Sequence, residues 1–140
     1  MKKPRTLRRR VTIALLIAGI YPLLVLAYTW SCVLRLDLKG GRHGPLDAYR
    51  HALASSVVSY TIGRWAVNLI TSVFESGGKA SHNMDRHNNR IGAGIGAGSR
   101  SFGDLERAVS QAVENGTVNT TDPQRITWMT ENQWHDGRFW

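Results

Sequence analysis

Between Arg10 and Arg35 the chain carries 24 consecutive residues without a charge, VTIALLIAGIYPLLVLAYTWSCVL, from Val11 to Leu34. As a helix this run covers about 36 Å, more than the roughly 30 Å of a bilayer's hydrocarbon core. A chain of 140 residues has room for one domain. A domain that small cannot surround so long an apolar helix on every side, which argues against a buried core helix. The run therefore reads as a single transmembrane helix. Tyr28 and Trp30 sit near its end, where an interfacial aromatic belt belongs. Gly19 and Pro22 lie within it, and membrane helices tolerate both. A cleaved signal peptide fits less well. Its apolar core is about 7–15 residues long and leads to a small-residue cleavage site. No A-x-A site follows here, and Thr29, Trp30 and Ser31 before Cys32 do not form a lipoprotein box. An uncleaved signal-anchor is expected.

The charge distribution agrees. The net charge is +8, which taken whole suggests nucleic acid. Six of the 18 cations, however, are Lys2, Lys3, Arg5, Arg8, Arg9 and Arg10, immediately before the apolar run. The other 12 face 10 acids. The basicity thus belongs to a leader, and no nucleic-acid partner is expected. Loop charge bias puts the N-terminus in the cytoplasm and the remainder outside it, in a single-pass arrangement. The short basic leader and compact body look bacterial or phage-like, so the expected location is an inner membrane with a periplasmic domain. Cys32 is the only cysteine, which excludes an internal disulfide and a cysteine-based zinc site.

The expected organisation is a basic leader at 1–10, a transmembrane helix at 11–34, a glycine-rich linker at 35–45 and a helical domain at 46–140. Pro45 suits a first helical turn, and residues 46–62 place Leu46, Tyr49, Leu53, Val57 and Tyr60 near one stripe. Gly63 breaks the pattern, and residues 64–75 form a second helix before Gly77-Gly78. Residues 102–114 form another, with Ser101 as its cap and Asp104 in its first turn. No alternation is long enough for a sheet. The fold class is all-α: one N-terminal transmembrane helix followed by a compact helical domain. The aromatic tail, with Trp128, Trp134, Phe139 and Trp140, reads as core or interface packing.

Two polar clusters interrupt this pattern. In Asp47-Ala-Tyr-Arg50-His51-Ala52, a helix brings Asp47, Arg50 and His51 to one face at i, i+3 and i+4. A carboxylate beside an imidazole fixes its tautomer and raises its basicity, and an arginine clamps anions. The bland alternative is a helix-face ion pair. The second cluster runs from Ser81 to Arg90, SHNMDRHNNR. If helical, it places His82, Asp85 and Asn89 on one side; its adjacent asparagines equally suit a loop. Four of the five histidines fall within residues 43–87. His51, His82, Asp85 and His87 are candidate ligands for a divalent metal, although no HExxH signature occurs. A metal-free acid–base site at His51 or His82 is the competing reading. Glu75 is a candidate third carboxylate. The run Gly92-Ala-Gly-Ile-Gly-Ala-Gly98 follows no strand and lacks the lysine of a phosphate loop. Its Gly92/Gly96 and Gly94/Gly98 pairs, spaced i, i+4, predict close helix packing.

Together the clusters resemble a motif set, D-A-x-R-H-A followed by M-D-x-x-N-N-x-x-G, of small bacterial domains at the ends of polymorphic or secreted toxins and in mobile-element proteins. The match spans residues 46–92 and falls on Asp47, Arg50, His51, Asp85, Asn88 and Asn89. The acidic stretch between the clusters is reduced here to Glu75, and the N-terminal anchor is an addition. The resemblance implies a hydrolase-like polar site. The combined expectation is a membrane-anchored hydrolase of an envelope substrate, peptidoglycan or a lipid-linked precursor. Its site residues would be His51, Asp47, Arg50, His82, Asp85 and Asn89. The alternative is a non-enzymatic membrane accessory protein, an assembly, exclusion or immunity factor, whose polar clusters are structural.

Overall fold

A computed structural model describes residues 5–74 and 79–139, with the side chains of residues 5, 6, 17, 73 and 74 left aside. Glu75 and Trp140 lie outside the described residues. Five helices follow in order: α1 (Arg5–Val33), α2 (Pro45–Thr61), α3 (Arg64–Phe74), α4 (Ala80–Gly98) and α5 (Phe102–Glu114). The chain then forms a two-residue parallel pair, β1 (Thr117–Val118) with β2 (Thr127–Trp128), and one 3-10 turn at Glu131–Gln133. The all-α expectation holds. Leu7–Val33 of α1 is long and apolar enough to cross a membrane.

Helix α2 is the hub. Leu46, Ala48, Tyr49, Ala52, Leu53, Val57 and Val58 are all buried. Such side chains contribute about 1.5–3 kcal/mol each for the largest of them. Proline starts the helix as expected, and Gly63, at φ 128°, ends it in a conformation that L side chains rarely adopt. Helix α5 presents Leu105, Val109 and Val113 at i, i+4, i+8 to the hub, and Ser101 Oγ accepts the Asp104 N–H at 3.1 Å. The second half of α1 belongs to this core too. Val25, Thr29, Cys32 and Val33 are buried, and Tyr21 Oη lies 2.5 Å from Thr61 Oγ1.

The polar decapeptide and the glycine run are one helix, α4, lying parallel to α2. His51 faces Asp85, Ser55 Oγ donates to Asn89 Oδ1 at 2.8 Å, and Ser59 Oγ donates to the Ala93 carbonyl at 2.7 Å. Each pair is separated by 34 residues, so the two helices stay in step. Gly92 and Gly96 make the approach possible. A Cβ on Gly92 would stand 2.2 Å from the Ala52 carbonyl oxygen, and one on Gly96 would stand 2.1 Å from that of Ser56. Asn88 is completely buried. Its amide donates to the Thr127 carbonyl at 2.8 Å and accepts the Thr127 N–H at 3.0 Å, which ties β2 to α4. These tertiary bonds outweigh the poor intrinsic helix propensity of adjacent asparagines.

The glycine-rich segment before α2, flexible by composition, is packed. The Gly41 N–H donates to the Gly137 carbonyl at 3.0 Å, and the His135 N–H to the Arg42 carbonyl at 3.2 Å. The ring of Trp134 lies so close over Gly40 and Gly44 that neither has room for a side chain. The C-terminal tail thereby clamps the entrance to α2.

Candidate functional site

Asp47 sits in the first turn of α2, where the helix dipole favours a carboxylate, and its side chain is only 4% exposed. Its Oδ2 accepts the His43 N–H at 2.7 Å, and its Oδ1 accepts a short hydrogen bond from Arg50 Nη2. The Arg50 guanidinium also lies over the Trp30 ring, 5.4 Å from its centroid. His51, one turn on from Asp47, places Nε2 3.5 Å from Asp47 Oδ1. Across the helix seam, Asp85 Oδ1 is 3.6 Å from the same nitrogen. One imidazole thus stands between two carboxylates, one from each helix.

The two acids are not equivalent. Asp47 is fully engaged by a guanidinium and a backbone N–H. Asp85 Oδ1 is buried without a hydrogen-bond partner. Burial pushes the Asp85 carboxyl above the ordinary aspartate range. His51 pulls it back in part, the negative charge of Asp47 raises it again, and His43 and His82 lower it. The outcome is an Asp85 carboxyl biased toward holding a proton, across the His51 imidazole from an Asp47 side chain already held by Arg50.

Of the expected site residues, Asp47, Arg50, His51 and Asp85 come together. His82 lies one turn before Asp85 on α4 and acts on it electrostatically. Asn89 lies one turn beyond Asp85, bonded by Ser55, and shares a cavity wall with Arg50. Asn88 holds β2 instead. His87 does not join, since its Nε2 pairs with the Arg125 carbonyl at 2.8 Å. Glu75 falls outside the described residues. His43 is the residue that composition conceals. It stands in the left-handed region at φ 65°, donates its N–H to Asp47 and puts Nδ1 3.8 Å from Asp47 Oδ2. Its position four residues before Asp47 was the available signal, hidden because it stands in a glycine-rich stretch outside the helix.

For a metal, the donor set is Asp47, His51 and Asp85, whose ligand atoms lie within 4.8 Å of one another. This differs from the four-residue set suggested by sequence, because His87 points elsewhere and Asp47 enters. Asp47 Oδ1 already holds a guanidinium, and a second cation at the same oxygen would be repelled. The arrangement is better suited to moving a proton than to closing around a metal. Comparison with protein families, characterised proteins and solved structures finds no match to this chain.

Proposed function

We propose that the chain is a membrane-anchored hydrolase whose site, at the N-terminal ends of α2 and α4, faces a cell-envelope substrate. The observation that carries this reading is the placement of His51 Nε2 between Asp47 Oδ1 and Asp85 Oδ1. In the cycle we propose, Asp47 orients the imidazole and balances its charge when protonated, and Arg50 meets an anionic group of the substrate. A water attacking the scissile centre gives its proton to His51. Asp85, held toward its protonated form, gives a proton to the leaving oxygen as its bond breaks. Return of the proton from His51 to Asp85 closes the cycle. The basic residues before the charge-free run favour a cytoplasmic N-terminus and an extracytoplasmic site. The toxin-like motif resemblance, which covers the same residues, is consistent with a hydrolytic site.

The test uses the full chain in membranes, with peptidoglycan and lipid-linked precursors as substrates. His51→Ala and Asp85→Ala should each lower turnover by about 10²–10⁴-fold while circular dichroism stays unchanged. Undiminished turnover in both variants would refute the assignment. One observation favours the accessory-protein reading: Asn88, within the same motif, is wholly committed to holding β2. Under that reading both variants instead melt at much lower temperature than the parent.

A further inference from the structure

An apolar cavity of about 340 Å³ lies between α1, α2 and α3. Val25, Leu26, Ala54, Val58, Val67 and Ile70 form most of its wall, and its polar lining residues include Thr29, Arg50 and Asn89 beside Tyr21, Ser55 and Thr71. Arg50 and Asn89 join the cavity to the site, because Arg50 pairs with Asp47 and Asn89 follows Asp85 by one helical turn. Thr29 is 1% exposed, and its hydroxyl has no hydrogen-bond partner among the described residues. A buried, unanswered hydroxyl in the wall of an apolar cavity marks a place for a ligand oxygen.

The membrane sets what can reach this cavity. Because Tyr21 already bonds Thr61, only residues 11–20 of the charge-free run precede the packed domain. Those ten residues cover about 15 Å, half of the roughly 30 Å a span requires. About ten more residues, through Trp30, complete the span. The flank of the domain at that level is apolar: Leu26 is 53% exposed on α1, and Trp65, Leu69 and Ile70 are 63%, 58% and 46% exposed on α3. This flank borders the cavity on two sides. The cavity then borders the hydrocarbon, and Thr29, at the end of the span, stands at the headgroup boundary.

We infer that the cavity seats one aliphatic chain of a membrane lipid, with the lipid's ester and anionic headgroup oxygens directed to Thr29, Arg50 and Asn89. This rests on the hydrolase reading in naming the substrate class, a lipid rather than a soluble glycan, but the seating itself is separately measurable. The probe is phosphatidylglycerol carrying a diazirine in one acyl chain, in nanodiscs with the full chain, with cross-links mapped by mass spectrometry. Cross-links are expected at Val25, Leu26, Val67 and Ile70. Ala54→Phe should lower labelling there by about tenfold, the loss that follows when two methylenes of chain are displaced. Leu26→Trp, at an exposed position that cannot unfold the core, should narrow the mouth and act in the same direction. His51→Ala should leave labelling unchanged, since it does not line the cavity. Labelling confined to Leu15, Leu16 and Leu23, and indifferent to both cavity variants, would overturn the inference. Seating with no lipid turnover would uphold the chain-binding claim and count against the hydrolase reading alone.

Discussion

The same two helices, α2 and α4, meet in two ways. Along their middle the seam is closed. Ser55, Ser56 and Ser59 donate to Asn89, to the Gly92 carbonyl and to the Ala93 carbonyl, and Asn88 is satisfied on both sides of its amide. Toward their N-terminal ends, the seam opens on Asp47, His51 and Asp85, where His51 Nε2 and Asp85 Oδ1 are 3.6 Å apart and that carboxylate oxygen has no hydrogen bond among the described residues. Satisfied polar groups fix a structure, while an unsatisfied buried carboxyl stores unfavourable energy. The contrast assigns different work to Asp85 and Asn88, which stand three residues apart in one motif.

The largest effect should come from the closed seam. Gly96→Val drives a branched side chain into the Ser56 carbonyl, and we expect a loss of about 4 kcal/mol or more, read as the disappearance of a cooperative thermal transition. A variant that melts normally would mean that the helices are not this close. Asn88→Ala should come next. It leaves the Thr127 N–H and carbonyl buried without partners, a cost of about 2–4 kcal/mol measurable by urea unfolding.

The open end should answer with the opposite sign. Asp85 has a raised folded-state pKa, so its contribution to stability is full below the ordinary aspartate value of 3.8 and is lost as pH rises through the folded value. Asp85→Asn removes that loss. Its melting point should exceed the parent's by a few degrees at pH 7, with the gap closing as pH approaches 3.8. Melting curves across this range decide the matter. A variant less stable than the parent at pH 7 would place Asp85 with the structural groups of the seam.

Much of this was legible without coordinates. The charge-free run of Val11–Leu34 forms most of one helix long and apolar enough to cross a membrane, and the proline at the start of α2, the Ser101 cap and the i, i+4 pair of Gly92 and Gly96 each lie where their local physical signature put them. The joint spacing of Asp47, Arg50 and His51 is likewise local, because one helix sets it. Gly94 and Gly98 have the same spacing as Gly92 and Gly96 but do not face α2, since spacing gives a stripe and not its direction.

What only the tertiary structure decided concerns partners distant in sequence. That α2 and α4 run parallel, so that Asp85 meets His51 from across 34 residues, depends on α3 carrying the chain back. That Asn88 binds β2 while Asn89 binds Ser55 follows from which side of α4 each occupies once Gly92 and Gly96 have fixed its rotation. That a glycine-rich approach becomes a rigid wall bearing His43 depends on Trp134, ninety residues further on. Residue types and local periods are written in the sequence because neighbouring atoms impose them. Long-range pairings are settled by packing, which selects among the many ways the same helices could bury their faces.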